Sequence, residues 1–507
     1  MSLIVDPEQA TSSVHGKNIH VPSQSSEMKP TNRTLAVRGR YNRGLMNRRD
    51  LLRLSGAPFV ATFARGQVKR SPQPNFVFIM ADDLGVYDLG CYGQKFIRTP
   101  HIDRLAEEGM RFTDCYAGAS VCAPSRSVLM TGQHTGHTRV RSNASLRTGG
   151  RLSLTAADVT VAEVLKGPEW RDAYDEERAY ATAIFGKWGL GEPNTPGLPN
   201  DHGFDEWFGF LNQQHAHGHY PEYLWRNKKK ETLRGNLDGA RREYASDLFL
   251  REALYFIDRR RYEPFFLYFT PTVPHAKFEA PHMGAYANQP WPEEAKYYAA
   301  MVTRMDSYVG RIMAKLKETG LDENTLVFFT SDNGGTFEYK PFGTMGPLRA
   351  KKGSIYEGGT RVPMIARWTG KVKPGAVSSH PWAFCDVLPT LADLAGIRGI
   401  PRNVDGVSVA PTLLGNKQDA ARPLYWESFG DGGGFHQALR TGKWKGVRHG
   451  IDARLELYDL ASDIGESKDV AADNPEVVRS METYLRDCRT ESPEYPSQTQ
   501  PRRRRDA

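Results

Sequence analysis

Four short apolar runs, each ending in a cluster of polar residues, constrain this chain more than any other feature. Asn75-Phe76-Val77-Phe78-Ile79-Met80 ends in Ala81-Asp82-Asp83-Leu84-Gly85, and Tyr180 to Phe185 runs into Gly186-Lys187-Trp188-Gly189-Leu190-Gly191. Pro264 to Phe269 is followed by Pro274-His275, and Thr325 to Thr330 ends in Ser331-Asp332-Asn333-Gly334-Gly335. Runs of this kind suit strands buried on both faces of a parallel sheet. Helical patterns lie between them. Thr99-Pro100 caps and opens one through Glu108 that Gly109 stops, and another spans Thr160 to Lys166. From Glu293 to Thr319 the apolar positions Tyr298, Met301, Val302, Met305, Val309, Ile312 and Leu316 keep a helical period, with Gly320 as the stop. Strands alternating with helices predict an α/β fold, a large mostly parallel β-sheet sandwiched by helices. Ligands of such sheets bind beyond the carboxyl ends of the strands, where these polar clusters fall.

The rest of the 507 residues organises around that sheet. Residues 1–45 are polar and aperiodic and read as a disordered extension. Met46-Asn47-Arg48-Arg49-Asp50 opens a segment, 46–70, in which twin arginines precede a mildly apolar stretch, as in a twin-arginine export signal; the expectation is an exported, periplasmic or extracellular protein. One large domain, the one that holds the sheet and its polar clusters, is expected over 72–415. A smaller C-terminal α+β domain follows over 416–491, with strands around Leu424–Phe429, Gln437–Val447 and Leu455–Leu460 and a helix from Pro475 to Cys488. Residues 492–507 read as a basic disordered tail, which accounts for part of the formal charge of +8. That surplus carries no nucleic-acid motif, so no nucleic-acid partner is expected. No apolar run is long enough for stable membrane insertion. The five cysteines (Cys91, Cys115, Cys122, Cys385 and Cys488) follow neither a disulfide scaffold nor zinc spacing.

One of those cysteines stands apart. Val121-Cys122-Ala123-Pro124-Ser125-Arg126-Ser127-Val128-Leu129-Met130-Thr131-Gly132 places Pro at an expected first helical position, so Cys122 falls at a helix N-terminus, where free N–H groups attract an anion. Arg126, one turn on, faces the same way and offers a fixed positive fork. A lone cysteine is ordinarily a small buried hydrophobe. The whole string, however, resembles the Cys-x-Pro-Ser-Arg signature of the type I sulfatases, formylglycine-dependent and arylsulfatase-like members of the alkaline phosphatase superfamily, with their following Leu-x-Thr-Gly. Gln133 stands where the family usually has Arg. The resemblance runs through several motifs from about Asn75 to about Ala472.

It implies a role for each polar cluster. Cys122 would be oxidised to formylglycine, the nucleophile. Asp82, Asp83, Asp332, Asn333 and position 122 would hold a metal, Ca2+ by the resemblance, although all-oxygen ligands equally admit Mg2+. Taken alone, Asp-Asp and Asp-Asn are ordinary turn residues. Lys187 matches the family's sulfate-binding Lys in Gly-Lys-Trp-His-Leu-Gly, but Gly189 replaces that motif's His. A substitute is sought in His137 or in the cluster His215-Ala216-His217-Gly218-His219. His275 matches the His near the scissile oxygen. Lys352, preferred to Lys351 because it precedes Gly353, matches the second sulfate-binding Lys. The catalytic set is thus Cys122, Arg126, Lys187, His275 and Lys352, with Lys187, Lys352, His215 and His217 as substrate contacts.

The resemblance implies a hydrolase releasing inorganic sulfate from a sulfated small molecule or glycan, with a formylglycine-generating or sulfatase-maturing enzyme as partner. Two other readings stand beside it. One is a phosphodiesterase or phosphonate monoester hydrolase of the same superfamily, which the charged residues alone do not separate from a sulfatase. The other is a non-catalytic sulfated-glycan-binding protein with unmodified Cys122, favoured only by Gly189.

Overall fold

The computed structural model describes residues 73–167, 179–419, 422–429 and 434–498, all within the compact unit Val68–Ala507. The extension over 1–45, the export segment over 46–70 and the last residues, 499–507, lie outside the described residues.

A ten-stranded sheet runs from one edge to the other in the order Ala376–Ser378, Met110–Phe112, Met364–Arg367, Thr325–Ser331, Asn75–Ala81, Phe265–Thr270, Ala181–Lys187, Glu206–Phe210, Tyr223–Arg226 and Lys229–Thr232. The five strands from Thr325–Ser331 to Glu206–Phe210 are all parallel to their neighbours. They include all four runs read from the sequence, so the polar clusters that follow those runs share one end of the sheet. Antiparallel strands flank this block on both sides.

Burial on both faces explains the unbroken apolar runs. Along Asn75–Ala81, Phe76, Phe78 and Met80 enter one core, while Val77, Ile79 and Ala81 enter the other. The helices Cys122–Thr131, Val161–Lys166 and Val387–Leu394 cover the first face. Pro100–Glu107, Ala245–Arg259 and Glu293–Glu318 cover the second.

Just beyond the edge strand Met110–Phe112, Cys115–Tyr116 leaves the main sheet to pair with Trp382–Ala383. Two local expectations are corrected. Gln437–Val447 is a hairpin of Phe435–Thr441 and Trp444–Arg448 within a four-stranded antiparallel sheet that also holds Leu424–Phe429 and Glu456–Asp459. The helix Pro475–Asp487 packs on that sheet through Met481 and Leu485. The chain is also ordered beyond Glu491. Tyr495 is fully buried against the ring of Phe429, at 5.3 Å, and Glu494 bonds Ser145 and Arg147. Burying that aromatic ring outweighs the polar composition around it.

Candidate active site

The helix carrying Cys122 begins at Cys122 itself, with Val121 as the extended residue before it and Pro124 in third place rather than first. Pro124 still costs no hydrogen bond, because the first-turn N–H groups have no partner inside the helix. One of them, that of Ala123, is taken by the side chain of Asn143 at 3.0 Å. Gly132 ends the helix in the left-handed region, φ 69°. Cys122 is thereby held, almost fully buried, below the carboxyl ends of the central strands.

Six charged groups meet there. Lys187, the last residue of its strand, places Nζ 2.8 Å from Asp82 Oδ2. Lys352 places Nζ 2.6 Å from Asp83 Oδ1 and 3.3 Å from Cys122 Sγ, whereas Lys351 turns outward to Glu338. Arg126 is wholly buried. Its Nε and one terminal nitrogen donate to Asp332 Oδ2 at 3.1 and 2.8 Å, and the other terminal nitrogen donates to the Lys187 carbonyl at 2.7 Å. Its fork is therefore turned to a carboxylate and the end of a strand, where the sequence reading aimed it at an oxyanion. Asn333 donates to Asp83 Oδ1 at 2.8 Å, and His275 Nε2 lies 3.5 Å from Asp83 Oδ2.

The electrostatics follow from this packing. Burial pushes Asp82 up, but Lys187, His275, Arg126 and Lys352 together outweigh it and hold the carboxyl well below its usual range. Burial, then the negative charge of Asp82, push Asp332 up despite Arg126. Burial lowers both lysines, yet the acidic groups around them win: Asp82 first for Lys187, Cys122 and Asp83 first for Lys352. The Cys122 thiol is pushed up to about 11, by burial before anything else.

The donor set also fits a hard divalent cation. Asp82, Asp83, Cys122 and His275 bring one potential ligand atom each within 4.8 Å of one another. Fully buried Asn333 leaves its Oδ1 without a protein partner among the described residues. An orphaned amide oxygen beside three carboxylates is the arrangement that Ca2+ or Mg2+ satisfies, with oxygen ligands and no thiolate required.

The histidines divide. His217 is exposed and stacks on His275, ring centroids 4.8 Å apart, with burial and then the His275 charge lowering its proton affinity. His215 instead stacks on Tyr223 at 4.3 Å and meets the edge of Phe210, so the structure does not bring it to the charged cluster. Buried His219 donates from Nε2 to the His275 carbonyl at 3.0 Å and steadies that loop. His137 is corrected as a substitute for the missing His. Its Nδ1 is bound to Asp405 at 2.9 Å, and the Asp405 N–H bonds the carbonyl of Gly132, at the opposite end from Cys122 of the helix that Cys122 starts. The space beside Gly189 is filled by Gln213: a Cβ at 189 would lie 2.5 Å from its Nε2, which donates to the Gly189 carbonyl at 3.1 Å. Gln213 and Asn143 were not singled out from sequence, and only the polar richness around Gln213 hinted at it.

A family model described as Sulfatase matches residues 74–397, more than half of the chain, and one described as N-sulphoglucosamine sulphohydrolase, C-terminal, matches 350–491. The chain belongs to the sulfatase family. It is 34% identical to N-acetylgalactosamine-6-sulfatase of Canis lupus familiaris, over 75% of each chain, and 33% identical to arylsulfatase A of Homo sapiens, over 84% of this chain and 90% of that one. Among solved structures it resembles Ps i-CgsB in complex with k-i-k-neocarrahexaose, with a TM-score of 0.71 at 31% identity over 84% of this chain and 95% of that one. This sulfatase is a sulfuric ester hydrolase, and the large mixed sheet with its C-terminal antiparallel sheet is the fold of its relatives.

Proposed function

We propose that this sulfatase releases sulfate from a sulfated carbohydrate through a formylglycine made from Cys122, in a site that holds calcium. The observation that carries the reading is the convergence of Lys187, Lys352 and His275 on a helix N-terminus at Cys122, opposite Asp82, Asp83, Asp332 and Asn333. The resident thiol supports conversion, because a group pushed up to about 11 is almost wholly protonated at neutral pH and a poor nucleophile. Formylglycine supplies the attacking hydroxyl, and the metal, held by Asp82, Asp83, Asp332 and Asn333, supplies Lewis acidity toward a sulfate oxygen.

The remaining work belongs to this chain's own side chains. Lys187 and Lys352 keep their protons and neutralise sulfate oxygens as charge builds on them. His275 has Nδ1 committed to the Ala276 carbonyl, so a proton for the departing alcohol oxygen leaves from Nε2, the nitrogen that faces the cluster. Arg126 acts one step back, fixing Asp332 and the end of the Lys187 strand. The stacking of exposed His217 on His275 supports its reading as a substrate contact. The carbohydrate substrate is supported by the relatives, one named for N-acetylgalactosamine 6-sulfate and one solved with a neocarrahexaose. Export rests on Arg48-Arg49 and the stretch after them; among the described residues no helix is long and apolar enough to cross a membrane.

The test is peptide mass spectrometry of the Cys122 fragment from protein made in its own host, with sulfate and phosphate ester hydrolysis measured on the same sample. A formylglycine mass with sulfate release is expected, and Cys122→Ala should abolish turnover without loss of fold. An intact thiol in active protein, or a preference for phosphate diesters, would overturn the reading.

A further inference from the structure

A cavity of about 550 Å³ runs from Lys352 and the start of the Cys122 helix, at Val121 and Pro124, to His436 and His449 of the C-terminal sheet. That volume lies within the roughly 300–1,000 Å³ of ligand clefts. Lys352, whose Nζ reaches to 3.3 Å from Cys122 Sγ, is the residue of the charged cluster that lines it, so the far end is room for more of a substrate whose sulfate sits at Cys122.

The two histidines at that outer end are locked by a relay whose donors follow from the partners. Tyr356 OH donates to Glu456 Oε2 at 2.6 Å, so its oxygen accepts from His449 Nε2 at 2.9 Å. The tautomer of His449 that donates from Nε2 to Tyr356 presents a bare Nδ1, 3.0 Å from His436 Nδ1, and in it His436 donates across that contact. Burial, before anything else, lowers the proton affinity of His436. Its Nε2 is left as an acceptor, and among the described residues no donor reaches it. A sugar hydroxyl is the donor that suits a neutral, half-buried imidazole; a carboxylate or a second sulfate has no proton to give.

We propose that His436 is a specificity-determining residue, its Nε2 accepting a hydroxyl of the sugar linked to the sulfated one, so that the substrate is a sulfated oligosaccharide. This deepens the sulfatase reading above and rests on it. The relay through His449, Tyr356 and Glu456 positions the ring, and the small domain contributes to substrate choice while the sheet ends carry the chemistry.

The test compares kcat/KM for 4-methylumbelliferyl sulfate with kcat/KM for the best substrate among carrageenan, chondroitin and heparan oligosaccharides, using protein with Cys122 converted. His436→Asn keeps a donor where Nδ1 stood and removes the Nε2 acceptor, and His436→Gln returns an acceptor near the Nε2 position. The ratio of oligosaccharide to aryl sulfate kcat/KM should fall about five- to tenfold in His436→Asn, through KM, as the loss of one neutral hydrogen bond requires. It should recover in His436→Gln. A proportional fall on both substrates, an unmoved ratio, or no recovery in His436→Gln would overturn the proposal, as would hydrolysis of the aryl sulfate alone by the wild type. Inactivity toward every sulfate ester despite converted Cys122 would instead overturn the sulfatase reading beneath it.

Discussion

Gly189→Ala tests whether Gln213 has taken the space that a side chain at 189 fills elsewhere in the family. Gly189 sits at φ +85°, where a Cβ costs about 1–2 kcal/mol. The new methyl would lie 2.5 Å from Gln213 Nε2, so the amide must swing away and give up its 3.1 Å bond to the Gly189 carbonyl, a net loss of about 0.5–1.5 kcal/mol. The sum is about 1.5–3.5 kcal/mol. With Gln213→Ala already in place the clash is absent, and Gly189→Ala should then cost only the backbone part. The cycle therefore has a coupling energy of about 0.5–1.5 kcal/mol. Urea unfolding followed by the fluorescence of the tryptophans, which include the fully buried neighbour Trp188, reads each corner of the cycle. A change below about 0.5 kcal/mol for Gly189→Ala, or the same cost in both backgrounds, would refute the reasoning. By the same geometry, Gly189→His alone should not raise turnover, because Gln213 stands in its way.

Three further outcomes are expected. Arg126→Met leaves Asp332 buried without its partner at 2.8 Å and should destabilise the fold by about 3–5 kcal/mol, read as a lowered thermal midpoint; a loss under about 1 kcal/mol would sink the pairing. Asn333→Ala removes the orphaned Oδ1 and should weaken calcium binding at least on the order of tenfold by calorimetry, while unaltered affinity would remove Asn333 from the ligand set. Asp88 is raised to about 7, chiefly by burial, against hydrogen bonds from Tyr298 and the Gly85 N–H. A carboxyl whose folded value lies above its unfolded one contributes stability that is complete below about pH 4 and is lost as pH rises through 7. The stability of the wild type relative to Asp88→Asn should therefore fall between about pH 4 and pH 7 and level off above, and parallel pH curves would contradict it.

Much of this was legible in the sequence because the central strands are buried on both faces, which leaves unbroken apolar runs such as Phe76 to Met80, and because their ends carry the chemistry. The edges were not legible. Lys229-Lys230-Glu231-Thr232 has no apolar alternation and becomes a strand only through pairing with Tyr223–Arg226, while Ala376–Ser378 is too short to declare itself. Ala245–Arg259 does carry a readable period in Leu248, Phe249, Ala253, Phe256 and Ile257, which the motif-rich stretch before it overshadowed. The histidines show the same limit at the site. His215 and His217 are two apart, yet one turns to Tyr223 and the other to His275, because a short helical turn replaces the extended segment that alternation would require.

The role of Arg126 is the clearest case of a residue whose presence was readable and whose partner was not. As a free fork it would have added a third cation facing the sulfate; as found, it is spent on Asp332 and the Lys187 carbonyl. That leaves Asp82, Asp83 and Asp332 opposed by Lys187, Lys352 and Arg126, three carboxylates against three cations. Such a set is close to balanced and has little pull on an anion by itself. A divalent cation among the carboxylates would tip it by two positive charges, enough to favour a singly charged sulfate ester and to free the two ammonium groups for its oxygens. Metal and substrate should therefore bind cooperatively. Calcium titrated into Cys122→Ala protein with and without a sulfate ester should show tighter binding in its presence, and equal affinities would show that the charge balance does not govern the site.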